Sequence, residues 1–85
     1  MNRQPRHSHD EFARLGEDVY QRRIRPSLRP EDDGKFVAID VGTGDYEINE
    51  DDYAAVARLL ARSPEAEVWL GRVGQPAAYR MRRGR

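Results

Sequence analysis

Eighty-five residues, 38% hydrophobic and 35% charged, make one small and rather polar domain. There is no cysteine to staple it, and near this size a single core supplies only about 3–5 kcal/mol, so support from a second copy or a partner is expected. The Met1-Asn2-Arg3 start lacks the apolar stretch of a signal peptide or membrane span, and with the absence of cysteine this points to a cytoplasmic protein that does not enter a membrane.

The zero net charge hides a segregation. Residues 1–30 carry seven arginines against four carboxylates, residues 31–52 carry nine carboxylates against Lys35 alone, and residues 53–85 carry seven arginines against Glu65 and Glu67. The blocks are +3, −8 and +5. An acidic middle between basic ends suits self-complementary contact, within one chain or across a dimer, as well as separate docking surfaces.

Residues 1–7 are polar and aperiodic, which predicts a disordered tail. Ser8 followed by Glu11 is a capping box and opens an amphipathic helix over residues 8–25. Its apolar stripe is Phe12, Leu15, Val19, Tyr20 and Ile24. Gly16 weakens that helix by about 1 kcal/mol relative to alanine. Pro26 and Pro30 end it and stiffen a connector over residues 26–34.

Residues 35–82 read as a β-β-α-β-β domain. Phe36 to Val41 is a β-branched and apolar run, Gly42-Thr43-Gly44-Asp45 supplies turn chemistry, and Tyr46 and Ile48 resume the period of two, predicting a hairpin. Asn49 is placed to cap a second helix whose buried stripe is Tyr53, Val56, Ala57 and Leu60, with Leu59 at its edge. Ser63-Pro64 stops it; Glu67 to Val73 is a third strand carrying Trp69, and Ala77 to Arg82 a fourth, before a basic tail at residues 83–85. The predicted fold is α+β, ordered α-β-β-α-β-β, with a four-stranded antiparallel sheet in the order 2-1-3-4 and helices packed on it. Val37, Ile39 and Val41 fall on one face and Phe36 and Ala38 on the other, while Val68 and Leu70 oppose Trp69 and Val73. Both faces are apolar, so the first helix, or another molecule, must cover the one that the second helix leaves.

Few residues offer chemistry. Asp40-Val41-Gly42-Thr43-Gly44 resembles the phosphate-binding turn of sugar kinases in the actin-like superfamily, but that fold needs a far larger two-lobed body, and a plain hairpin turn is expected instead. Gly42 before Thr43 excludes the Asp-Thr-Gly triplet of aspartic proteases. The carboxylates Asp45, Glu47, Glu50, Asp51 and Asp52 miss calcium-loop spacing, since Gly42 and Gly44 occupy two ligand positions counted from Asp40. They fit a helix N-terminus better than a cation site. His7 and His9 lack further ligands, and no nucleophile or acid-base set is available, so no catalytic, metal or cofactor residue is expected and the chain reads as a non-enzyme.

Two surfaces remain. The first is apolar: Phe12, Leu15, Val19, Tyr20, Ile24, Phe36 and Trp69, fitted either to this chain's own core or to a groove of a protein partner or second copy. The other is basic: Arg72, Arg80, Arg82 and Arg83 beside Trp69, suited to nucleic acid.

Ile24-Arg25-Pro26, Gly34 to Asp40, Thr43 to Ile48 and Trp69 to Gly74, within a match covering roughly residues 10–82, resemble a family of short uncharacterised bacterial proteins. Members are often encoded beside a retroviral-like aspartic protease in two-gene, toxin-antitoxin-like arrangements, and tend to carry an acidic residue where Gly42 stands. The resemblance implies a small partner of another protein, such as the protease itself. It assigns no residue a role. The expectation is a protein-interaction module, homodimeric or partner-bound, with a nucleic-acid-binding antitoxin-like protein as the alternative.

Overall fold

The computed structural model describes residues 8–74 and the backbone of residues 79–80. It is an α+β fold with two helices and a three-stranded antiparallel sheet. Strand β1 (Phe36–Asp40) lies between β2 (Tyr46–Asn49) and β3 (Val68–Arg72). The backbone of Tyr79–Arg80 runs antiparallel beside β3, with Arg80 opposite Trp69 and Tyr79 opposite Leu70. The expected tails at 1–7 and 83–85, and most of the fourth strand expected at 77–82, lie outside the described residues.

Helix α1 (His9–Val19) starts at the predicted capping box: Glu11 N–H donates to Ser8 Oγ at 3.2 Å and Ser8 N–H to Glu11 Oε1 at 3.1 Å. It does not run regularly to residue 25. Tyr20–Ile24 forms a wider turn closed by a bond from Arg25 N–H to the Tyr20 carbonyl, and Arg25–Ser27 tightens to a 3₁₀ turn. Two causes converge here. In a regular helix Pro26 would clash with the carbonyl of Arg22. At about 100° per residue, Ile24 would also point roughly 120° away from Phe12. A wider turn advances less per residue and swings Ile24 under the sheet, where it is 0% exposed.

The sheet is covered on both faces by its own chain. Ile24, Val37, Ile39, Val41, Trp69 and Val73 form one buried cluster, packed by Phe12, Leu15, Val19, Tyr20 and Leu28 from α1 and the turns after it. Ala38, Val68 and Leu70 form the other, with Ala55 and Leu59 from α2 (Asp52–Arg62). The predicted division of β1 and β3 residues between the faces is the observed one.

Helix α2 departs from its prediction in two ways. Its cap is Asp51, whose Oδ2 accepts Ala54 N–H at 2.8 Å, while Asn49 Oδ1 accepts the N–H of Asp51. Its buried residues are Ala55 and Leu59, with Val56 and Leu60 half-buried, and Tyr53 and Ala57 face outward. Two apolar stripes of helical period coexist in Tyr53–Leu60, and the start two residues later than Asn49 turned the second one inward.

The connector is ordered by Asp32, which accepts Arg29 N–H and pairs with Lys35 at 3.0 Å. The Arg29 amide first and the Lys35 ammonium second hold the Asp32 carboxyl below its ordinary 3.8, and Asp32 holds Lys35 above 10.5. A depressed carboxyl stabilises the fold above its unfolded value, so this contribution is complete at neutral pH and lost as acid titrates Asp32 below 3.8. Asp32→Asn is expected to flatten the acid limb of a plot of urea midpoint against pH. An unchanged limb would show that the pair does not contribute.

Candidate interaction surface

The residues expected on an apolar contact surface are placed within the single chain. Ile24 and Trp69 are buried at 0% and 6% exposure, and Phe12, Leu15, Val19 and Tyr20 are partly buried against the same cluster. Tyr20 and Trp69 rings lie 6.2 Å apart, tilted by 35°. In this chain α1 lies on the sheet face that the sequence left open. Phe36 is on the opposite face, partly buried beside the α2 cluster.

Of the basic set, Arg72 is exposed but engaged. Register places it across from Phe36, and its guanidinium stacks 4.6 Å from that ring while Nε donates to the Gly34 carbonyl at 3.2 Å. The side chains of Arg80, Arg82 and Arg83 lie outside the described residues.

The glycine-rich turn is closed on itself by Asp40, which is 5% exposed. Its Oδ1 accepts Gly42 N–H at 2.9 Å, Oδ2 accepts the Thr43 hydroxyl at 3.0 Å, and its carbonyl accepts the amides of Thr43 and Gly44. Gly44 adopts φ +85°, the left-handed region this turn requires. The amides that would cradle a phosphate are thus spent on the turn's own aspartate. Asp40→Ala removes the charged acceptor of both bonds and the side chain that closes the turn, and is expected to lower stability by about 1–3 kcal/mol in urea unfolding, more than Asp40→Asn. Wild-type stability in the alanine variant would contradict this role.

The acidic block divides in two. Asp45 and Glu47 are held by Arg62 at the end of α2, which donates to Asp45 Oδ2 from Nε and Nη2 at 3.1 and 3.0 Å, to Glu47, and to the Tyr46 carbonyl. Glu47 first and Asp45 second hold the Arg62 guanidinium above its ordinary range. Glu50, Asp51 and Asp52 are exposed around the start of α2. Among the described residues no three His, Asp or Glu side chains are grouped to hold a metal ion, and no helix is long and apolar enough to cross a membrane.

The surface missed in the sequence is the outer side of α2. Tyr53, 78% exposed, is the large hydrophobic side chain left exposed among the described residues. At about 100° per residue, Tyr53 and Ala61 lie about 40° to either side of Ala57, and Ala54 and Leu60 about 60°. That arc contains no charge between Tyr53 and Ala61. Ala55 and Leu59 point the opposite way, into the core. The signal was already in Tyr53-Ala54-Ala55-Val56-Ala57, which is longer than one buried stripe needs.

A scan against protein-family models, a search of curated proteins and a search of solved structures each found no match to this chain.

Proposed function

We propose that the chain is a small non-enzymatic protein-interaction module of the cytoplasm, the accessory or antitoxin-like partner of another protein such as a retroviral-like aspartic protease. The observation that carries this reading is the outward face of α2, where Tyr53, Ala54, Ala57 and Ala61 make an uncharged strip on a chain whose two sheet faces are already covered. An exposed aromatic set on a row of small residues offers a partner an anchor and close backbone approach. The engagement of Arg72 by Phe36 and Gly34 makes nucleic acid the weaker reading. The same reading takes the sheet as four-stranded in the order 2-1-3-4, with residues 77–82 as the basic edge strand; the pairing of Tyr79–Arg80 with β3 supports it.

Amide chemical-shift mapping tests it, with a purified retroviral-like aspartic protease from the source genome in one series and a mixed-sequence oligonucleotide in another. The reading expects the protease to shift residues 53–61 and to do so almost independently of salt. Silence there, with oligonucleotide shifts around Arg72 that fade steeply with salt, would favour the nucleic-acid alternative.

A further inference from the structure

We infer that the outer face of α2 binds a second copy of this chain, helix against helix and antiparallel. The inference rests on the reading of that face as a contact surface and goes beyond it by making a second copy the occupant when the chain is alone, in place of any other partner.

The argument is one of charge and shape. Glu50, Asp51 and Asp52 stand at the N-terminal end of α2, and Arg58 and Arg62 in its later turns. Each helix therefore carries an acidic and a basic end, an arrangement its own dipole stabilises and only partly offsets. Two such helices attract when antiparallel and repel when parallel. A two-fold axis imposes the antiparallel arrangement on a self-complementary patch, each residue meeting its counterpart reciprocally.

The register follows from the side chains. Seating Tyr53 of one copy over Ala57 of the other fills the shallow row left by small residues. At about 1.5 Å per residue, Arg58 then lies within one residue's rise of the second copy's Asp51, on the same flank, with the second copy's Glu50 beside it. Arg58 has no ion pair among the described residues, whereas Arg62 is already committed to Asp45 and Glu47. Of the two arginines of α2, the one free to cross the interface is the one this register brings to the acidic turn. A contact of about three helical turns sits at the small end of stable interfaces, roughly 1,200 Å² or less, so the dimer is expected to be reversible.

Sedimentation equilibrium of the full chain between about 5 µM and 1 mM tests the proposal at low salt, with circular dichroism as the check of folding. The expected result is a monomer–dimer equilibrium that Tyr53→Ser and Ala57→Glu each weaken at least about tenfold while the fold is retained. Arg58→Glu and Glu50→Arg should each weaken it, and the double variant E50R/R58E should restore most of the loss; Asp51 is left intact because it caps the helix. A monomer throughout the range, or a dimer indifferent to Ala57→Glu and to the charge swap, would overturn the second-copy assignment. If the chain stays monomeric while the protease still shifts residues 53–61, the assignment falls and the interaction reading stands; if neither occurs, both fall.

Discussion

Trp69→Ala is expected to leave the chain largely unfolded at 25 °C. The indole is 6% exposed, packs in the cluster with Ile24, Val37 and Ile39, lies against Tyr20 and meets the backbone of α1 at Gly16. Removing a buried tryptophan typically costs about 3–5 kcal/mol. That is comparable with all that a single small core supplies, about 3–5 kcal/mol near this size. The expected observation is loss of a cooperative urea transition together with loss of most far-UV ellipticity. A cooperative transition within 1 kcal/mol of wild type, judged against that same range, would mean that α1 is not seated on Trp69.

Gly16→Ala is expected to destabilise, against its helix propensity. On propensity alone alanine should gain about 1 kcal/mol at a helix interior. In the fold Gly16 is buried, and a Cβ placed there would overlap the indole ring of Trp69, which is rigid and packed on its other sides. Accommodating it means lifting α1 off the sheet or driving the indole from its rotamer, and such overpacking costs about 1–3 kcal/mol. The sign is the test. A destabilised Gly16→Ala that becomes neutral or stabilising in a Trp69→Leu background would assign the loss to this one contact, whereas a stabilised single variant would place α1 elsewhere.

This pair also shows what could and could not be read from the residues. The Ser8–Glu11 box, the hairpin and the division of β1 and β3 into two apolar faces follow from local rules, since each depends on residues close in sequence or on strict alternation. Gly16 read as a plain weakness of the helix because its reason, Trp69, lies 53 positions away. The wide turn at Tyr20–Ile24 was hidden for a similar cause: five apolar positions at near-helical spacing looked like one stripe, and only the need to bury Ile24 beside Pro26 shows that a regular helix cannot carry them all.

On α2 the difficulty was an excess of signal. Tyr53, Val56, Ala57 and Leu60 are as good a helical stripe as Ala55, Val56, Leu59 and Leu60, and local pattern does not rank them. Capping by Asp51, with Asn49 turned to the Asp51 amide, set the phase. The unused stripe then became the surface on which the functional reading depends. Gly42-Thr43-Gly44 reads as a turn from its residues and is one, and the buried Asp40 supplies the reason its amides are not available to a ligand.

Among the described residues each sheet face is closed by this chain's own helix, and the outer side of α2 is uncovered. Isotope-filtered nuclear Overhauser spectra on a sample mixing ¹³C-labelled and unlabelled chains separate contacts within one chain from contacts between two. The expected result is that Phe12 and Val19 reach the Trp69 cluster only within a chain, while contacts between chains centre on Tyr53, Ala54, Ala57 and Ala61, with Arg58 and Glu50 at their edge. Contacts between chains joining α1 to Trp69, with none at Tyr53, would contradict it: the first helix would then be an arm exchanged between copies, and α2 an exposed helix with no partner of its own.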